Sequence, residues 1–298
     1  MDPIPLDPDT SFLVHALEHH VRVLAEDIGE RNVFRPTALR AAAEYITGVW
    51  EDRGHNVVAQ RYTVRDLECA NLEISVSGTA PGDEMVLVGA HYDTVYGSPG
   101  ADDNASGVAA LLEMSRLLWA AKPVRTIRCV AFVNEEAPFF FLGDMGSLVY
   151  ARAARARGDQ IRVMVSLEML GFYRDEPGTQ EYPPLLSRFY PDRGNFLAFV
   201  SNLHSRMQLR ALVNAFRRVS NFPAEAAALP WWVPGVALSD QSSFWRQGYA
   251  GVMVTDTAYL RNPYYHTRAD KPDTLDYRRL AAATRGLADA LLALSSGA

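Results

Sequence analysis

Apolar positions along the chain change their period several times, and each change marks an element. Leu13, Leu17, Val21, Leu24 and Ile28 recur at helical spacing. A second helix is predicted from Thr37 to about Asp52 through Leu39, Ile46 and Val49, with Pro36 suited to its first turn and Gly54 to its stop. The pattern then shortens. Val57 to Val64 and Leu72 to Val76 read as strands. In the second of these, Leu72, Ile74 and Val76 alternate with Glu73 and Ser75, as expected of an antiparallel pair at a sheet edge that feeds the next strand. That next strand, Met85 to Ala90, is apolar on both faces and so belongs in the middle of a sheet.

From there strand and helix patterns take turns. Val108, Leu111, Ser115 and Leu118 mark a helix, and Thr126 to Val133 a strand that runs into Asn134-Glu135-Glu136. A helix from about Asp144 to Ala156, stopped by Gly158, precedes a strand from Ile161 to Leu167 that ends at Glu168. Tyr173 to Gly194 holds four prolines and no period, which in a compact domain is more often a functional loop than an accident. Asn195 to Val200 reads as a strand, Leu203 to Val219 as a helix, Ser239 to Gly248 as a short capped helix and Gly251 to Asp256 as a strand. Asp276 to Ser295 closes the chain as an amphipathic helix. Without repeats or a linker, residues 1–298 read as one α/β domain.

Composition narrows the function classes. Net charge is −6 and no run of Lys or Arg appears, so a nucleic-acid footprint is not expected. No apolar stretch approaches the roughly 20 residues that span a bilayer, and no membrane partner is expected. The start, Met1-Asp-Pro-Ile-Pro-Leu-Asp-Pro8, lacks the basic and apolar parts of a signal peptide. The two cysteines, Cys69 and Cys129, cannot make a disulfide framework or a thiolate zinc site and read as reduced, buried thiols. Together these favour the cytoplasm. His15 and His19 have the i, i+4 spacing of a metal pair, but no carboxylate pattern accompanies them, and they read as solvated surface.

The candidate chemistry lies at strand ends. His91, Asp93, Asp102 and Asp103 follow the buried strand at Met85, where Gly97, Pro99 and Gly100 force a loop before the next helix. Glu135 and Glu136 end a second strand, Glu168 a third, and His266 follows the last. Parallel strands carry their carboxyl ends to one edge, so these groups can converge where open α/β sheets bind ligands. Several carboxylates meeting without compensation repel one another. One or two divalent cations resolve that conflict, and imidazole with carboxylate and no thiolate suits zinc, then manganese or cobalt. Glu168 adds weight because it sits inside the apolar run Val163 to Leu170, where a carboxylate needs a cation or a donor.

The segments His91-Tyr-Asp93, Gly100-Ala-Asp-Asp-Asn-Ala-Ser-Gly107, Asn134-Glu-Glu136, Ser166-Leu-Glu168 and His266-Thr-Arg-Ala-Asp-Lys-Pro-Asp-Thr274 resemble, in order and separation, the co-catalytic di-zinc aminopeptidases of the bacterial leucyl aminopeptidase and aminopeptidase Y type, to which glutaminyl cyclases are related. The likeness spans about residues 85–296. It implies a three-layer α/β/α fold with a mixed, mainly parallel central sheet. It also implies two zinc ions bridged by Asp103, one completed by His91 and Glu168, the other by Glu136 and His266. Glu135 would then be the general base and Asp93 the carboxylate that orients His91. The implied activity is that of a metallo-aminopeptidase acting on peptides with an apolar N-terminal residue.

Glu168 stands where some relatives have Asp, and either carboxylate can ligate; two further stretches depart from the pattern. Gln241 stands where many relatives have a His after Ser239-Asp240, and Pro234 to Leu238 lacks a Tyr that stabilises the oxyanion in one branch. Tyr259, Tyr264 and Tyr265 are candidates for that duty by position. Phe172, Trp231 and Trp232 are candidates for the substrate pocket, the tryptophans because they sit in a Pro-flanked loop. Two other readings are a single-zinc acyltransferase of the glutaminyl cyclase kind and a metal-free relative that binds a partner. The full set of ligands and the presence of the base argue against both.

Overall fold

A computed structural model describes residues 7–297, so the reading of Met1 to Leu6 lies outside the described residues. Eight strands form one sheet in the order β1-β2-β4-β3-β5-β8-β6-β7. They are β1 Val58–Val64, β2 Leu67–Val76, β3 Glu84–His91, β4 Thr126–Phe132, β5 Gln160–Glu168, β6 Leu197–Asn202, β7 Ala224–Leu229 and β8 Gly251–Thr255. β4, β3, β5 and β8 run parallel at the centre, while β1, β2 and β6 pair antiparallel to their neighbours on the inner side. The sheet is therefore mixed and mainly parallel.

The helices are α1 Pro8–Arg22, α2 Pro36–Asp52, α3 Gly107–Ala121, α4 Gly146–Arg157, α5 Arg206–Val219, α6 Gln241–Trp245 and α7 Tyr277–Ser295. Asp7 and Asp276 cap α1 and α7 by accepting the Thr10 and Arg279 amides, which satisfies donors that a helix start leaves unpaired. Leu17, Trp50, Leu111, Phe216 and Leu291, from α1, α2, α3, α5 and α7, pack with Val88, Val165, Phe199 and Val254 on one face of the sheet. On the other face, Tyr150 of α4 and Phe244 of α6 cover Leu87, Phe132 and Met164. This is the three-layer α/β/α arrangement, and it places α3 at the centre of the first layer, buried nearly all round.

Two features depart from the pattern read in the sequence. β2 lies against β4 and not against β3, so β3 is enclosed between two parallel neighbours, consistent with its unbroken apolar run. β7 carries the sequence Ala-Glu-Ala-Ala-Ala-Leu, which has no strand signature of its own, and it takes extended form by pairing with β6. The second helical layer stops short: above β8, β6 and β7 the sheet is roofed by irregular chain from 173–194 and 230–238, which leaves a cleft.

Candidate metal centre

β3, β4 and β5 end side by side, with His91 and Glu168 as the last residues of β3 and β5. The chain after β3 then folds back through 92–106 into α3. Gly100 makes that return possible: its φ is +61°, and a Cβ there would strike Asp103 O and Thr94 Cγ2. The Asp103–Asn104 peptide is cis. Asn104 fixes this stretch to β5 by donating to Leu167 O at 2.8 Å and accepting from Met169 N at 3.1 Å.

Asp103 divides its carboxylate between two imidazoles. Oδ1 lies 3.3 Å from His91 Nε2, and Oδ2 lies 3.1 Å from His266 Nε2. A second carboxylate joins each: Glu168 Oε2 at 3.5 Å from His91 Nε2, and Glu136 Oε1 at 3.3 Å from His266 Nε2. In both trios, His91-Asp103-Glu168 and Asp103-Glu136-His266, the candidate donor atoms all lie within 4.8 Å of one another. Glu135 Oε2 stands off at 4.0 Å from His91 Nε2. It shares the cavity lined by Asp103, Glu136, Glu168, Tyr265 and His266.

Two further aspartates hold this arrangement from behind, each with both oxygens on a dipeptide. Asp93 accepts the amides of Glu135 and Glu136 at 3.0 and 3.1 Å. Asp270 accepts those of Asp102 and Asp103 at 2.9 and 3.1 Å. His91 Nδ1 donates to the backbone carbonyl of Asp93 at 3.2 Å, while the Asp93 carboxylate is 3.6 Å away. The backbone of Asp93 thus orients the imidazole, and its side chain fixes the paired glutamates. Asp102, fully buried, accepts from Gly171 N and Asn262 Nδ2 and points away from both imidazoles into the loops beneath.

The electrostatics explain why such a cluster calls for cations. Burial works against a charged His91, yet Glu168, Glu135 and Asp103 together hold its imidazole well above the ordinary range. His266 is pushed up to about 10 against the same penalty, by hydrogen bonds with Asp103 and Glu136. Burial first, then the charge of Asp103, lifts Glu136 to about 7, and burial also drives Glu135 well up. Glu136 Oε1 is buried, and the donor it faces is the His266 imidazole 3.3 Å away. A chain that buries three carboxylates around two imidazoles and splits one carboxylate between them fits a pair of divalent cations by donor type and spacing.

Other residues near the site carry no obvious sequence signal. Arg31, fully buried, donates to the carbonyls of Tyr92, Leu24, Gly29, Pro99 and Gly100, and so ties the loop after β3 to the end of α1. Ser239 donates to Glu168 Oε2. Among the aromatic candidates, Tyr265 stacks on His266 with ring centroids 3.7 Å apart and lines the metal cavity. Tyr259 lines the neighbouring apolar cleft, while Tyr264 packs edge-on against Phe172. Phe172 is buried and borders a separate cleft with Arg174 and Arg261. Trp231 and Trp232 are 67% and 69% exposed and line neither the metal cavity nor the apolar cleft, so the structure does not gather them with the site. His15 and His19 are exposed, and His20 is buried against Glu113.

Comparison with known proteins places this geometry. Residues 71–291 match the sequence profile of Peptidase family M28. The chain is 35% identical over 280 residues to the uncharacterized protein YfbL of Escherichia coli (strain K12), an alignment covering 91% of this chain and 85% of that one. It is 26% identical over 220 residues to a probable leucine aminopeptidase of Arthroderma otae, covering 69% of this chain and 52% of the fungal protein. The chain therefore spans about half the length of the leucine aminopeptidases it matches. In fold it is similar to BSAP, a zinc aminopeptidase from Bacillus subtilis, with TM-score 0.75 and 15% identity over 94% of this chain and 95% of that one. The segment matched by the family profile contains every member of both trios, and the chain belongs to peptidase family M28.

Proposed function

We propose that this protein is a zinc-dependent aminopeptidase that removes the N-terminal residue of peptides, with apolar residues among those accepted. The observation that carries the reading is the divided carboxylate of Asp103, which presents one oxygen to each imidazole and so suits a bridge between two cations. His91 and Glu168 would complete one site, and Glu136 and His266 the other. Bound there, a divalent pair supplies Lewis acidity, polarising the scissile carbonyl and making water acidic enough to attack at neutral pH.

The chain's own residues do the rest. Glu135 stands beside the trios without belonging to either, where it would reach a water held between them. It takes that water's proton and returns it to the leaving nitrogen, so one carboxylate serves as base and then acid. Asp93 keeps it aimed by fixing the Glu135 and Glu136 amides. Tyr265, whose ring is set by stacking on His266, faces the same cavity and is the phenol best placed to donate to a developing oxyanion. The apolar cleft that opens beside Glu168 offers room for the side chain of the residue being released.

The test is a panel of short peptides with free, N-acetylated and C-amidated ends, digested by the zinc-loaded protein. Aminopeptidase activity is stopped by acetylation and indifferent to amidation. Cleavage blocked by amidation instead, or turnover restricted to cyclisation of N-terminal Gln, would overturn the reading.

A further inference from the structure

The floor of the apolar cleft is a single row across the sheet. Strand pairing sets Glu168 beside Thr255, Thr255 beside Ala198 and Ala198 beside Glu225. Residues paired in this way present their side chains to the same face. The opposite face of β7 is accounted for, because Ala224, Ala226 and Ala228 pack on the main core. All four members of the row line the cleft, whose volume is ≈ 860 Å³ including its open mouth. Three strand spacings separate the outer members, roughly 14 Å between Cα atoms. One end is thus the metal-side carboxylate Glu168, and the other end is a second carboxylate, Glu225.

The walls between them are apolar, from Leu186, Phe196, Val236 and Met253. Near Glu225 stand the rings of Tyr182 and Tyr190, stacked with centroids 5.9 Å apart. Their hydroxyls are committed to backbone, Tyr182 to Pro191 O at 2.5 Å and Tyr190 to Ala226 O at 3.0 Å. Neither gives a proton to Glu225. After burial itself, the Glu225 charge is what raises the Tyr190 phenol. Arg261 does not line the cleft: its Nε donates to Gln180 Oε1 and its Nη1 to the carbonyls of Phe196 and Phe172, while Nη2 is buried without an acceptor. Among the described residues, no hydrogen bond and no ion pair within 4.0 Å takes up the Glu225 carboxylate. Glu225 is half-buried and free of partners among those residues, so its carboxylate, at the end of an apolar cleft, is open to a cation that arrives from outside.

We infer that this cleft receives the side chain of the substrate's N-terminal residue and that Glu225 selects lysine and arginine there. Those two residues combine an aliphatic stem, which suits the walls, with a terminal cation, which suits the carboxylate and the flanking tyrosine rings. The inference rests on the aminopeptidase reading above and adds the substrate class. A plainer alternative is that Glu225 is an inward charge on an edge strand, serving only to discourage pairing with another chain.

Fluorogenic amides of lysine, arginine, leucine and norleucine, presented to the zinc-loaded full chain, separate these possibilities. Norleucine keeps the straight apolar stem of lysine without the ammonium. The expected kcat/KM for lysine exceeds that for norleucine by about tenfold, the order of discrimination one pocket contact supplies. In Glu225→Gln the ratio should fall to about one or below, mainly through KM for lysine. Glu225→Asp, which keeps the charge with a shorter reach, should fall between. A wild-type ratio at or below one, or a ratio unchanged in Glu225→Gln, overturns the inference, and the wild-type ratio decides alone if the variants do not fold. Failure to cleave any of the four free-amine substrates would instead sink the aminopeptidase reading itself.

Discussion

Ser239 gives its hydroxyl proton to Glu168 Oε2 across 2.6 Å. Ser166, two residues before Glu168 on β5, is 2.9 Å from Ser239 and is left to donate to it. Glu168 Oε2 is also the oxygen 3.5 Å from His91 Nε2, so the Ser239 hydroxyl fixes the carboxylate where it meets the trio. In Ser239→Ala that restraint is lost, and the expected cost is about 10–100-fold in metal affinity at the His91 trio or in activity, with the fold retained. Zinc titration followed by turnover at saturating zinc measures it. Unchanged affinity and turnover would show that Glu168 is held by β5 alone.

Asp102 and Asp103 are neighbours with opposite duties, and matched amide substitutions should separate them. Asp103→Asn replaces one of the two divided oxygens with a nitrogen that bears hydrogens and cannot ligate, so at least one metal ion and nearly all activity should be lost. Asp102→Asn keeps the shape and an acceptor for Gly171 N, so metal content should hold and the loss should register as a lower melting temperature. Metal stoichiometry by elemental analysis, beside thermal melts, reads both. Equal metal loss in the two variants would contradict the assignment of the bridge to Asp103.

Glu135 and Glu136 are adjacent, share the support of Asp93 and are assigned different work. Glu135→Gln keeps the shape but cannot take a proton, which removes about 10²–10⁴-fold in rate while leaving metal content intact. Glu136→Gln should weaken metal binding first, with activity partly recovered at high zinc. If Glu135→Gln loses metal instead, base and ligand have been exchanged.

Far from the cleft, Glu113 in α3 is fully buried, with His20 Nε2 donating to it at 3.2 Å and Arg53 and Arg116 beside it. Burial works against its charge, yet His20, Arg53 and Arg116 outweigh that and hold its carboxyl down to about 2. Because the folded value lies below the unfolded one, this stabilisation is complete above about pH 4.5 and is lost as the pH falls through about 2. Its size is roughly 3 kcal/mol. Glu113→Gln should therefore lower the melting temperature clearly at pH 6, and the gap should narrow steadily on acidification. A gap independent of pH would mean that packing, not charge, accounts for the loss.

The strands that carry the site were legible because each is buried on both faces. Met85–Ala90 is wholly apolar, while Thr126–Val133 and Ile161–Leu167 are mostly apolar runs broken by Arg128 and Arg162 in their first halves and buried toward the ends, where His91, Glu135 and Glu168 lie. β7 was illegible for the converse reason. Alanine favours a helix in isolation, and only the edge of β6 makes Ala224–Leu229 extended. The family motifs mark which residues can meet, but not what supports them. Asp270 reaches its amides across more than half the chain, and Arg31 binds five carbonyls that any sequence would supply. Trp231 and Trp232 mislead in the other direction, since a Pro-flanked aromatic pair looks like a pocket wall whether or not the loop turns inward.

The roof over β8, β6 and β7 is built from loops and not from a helix, and this has an evolutionary reading. Four of the five residues of the two trios come from β3, from β5 and from the turns that follow β3 and β4, all packed under rigid layers. Most of the cleft, by contrast, is bounded by 178–190, 224–229 and 234–238. Insertions and substitutions there meet solvent or one another before they meet His91 or Asp103. One reaction centre can in this way be passed unchanged among descendants that differ in diet, each generation of loops redrawing which peptide end is admitted.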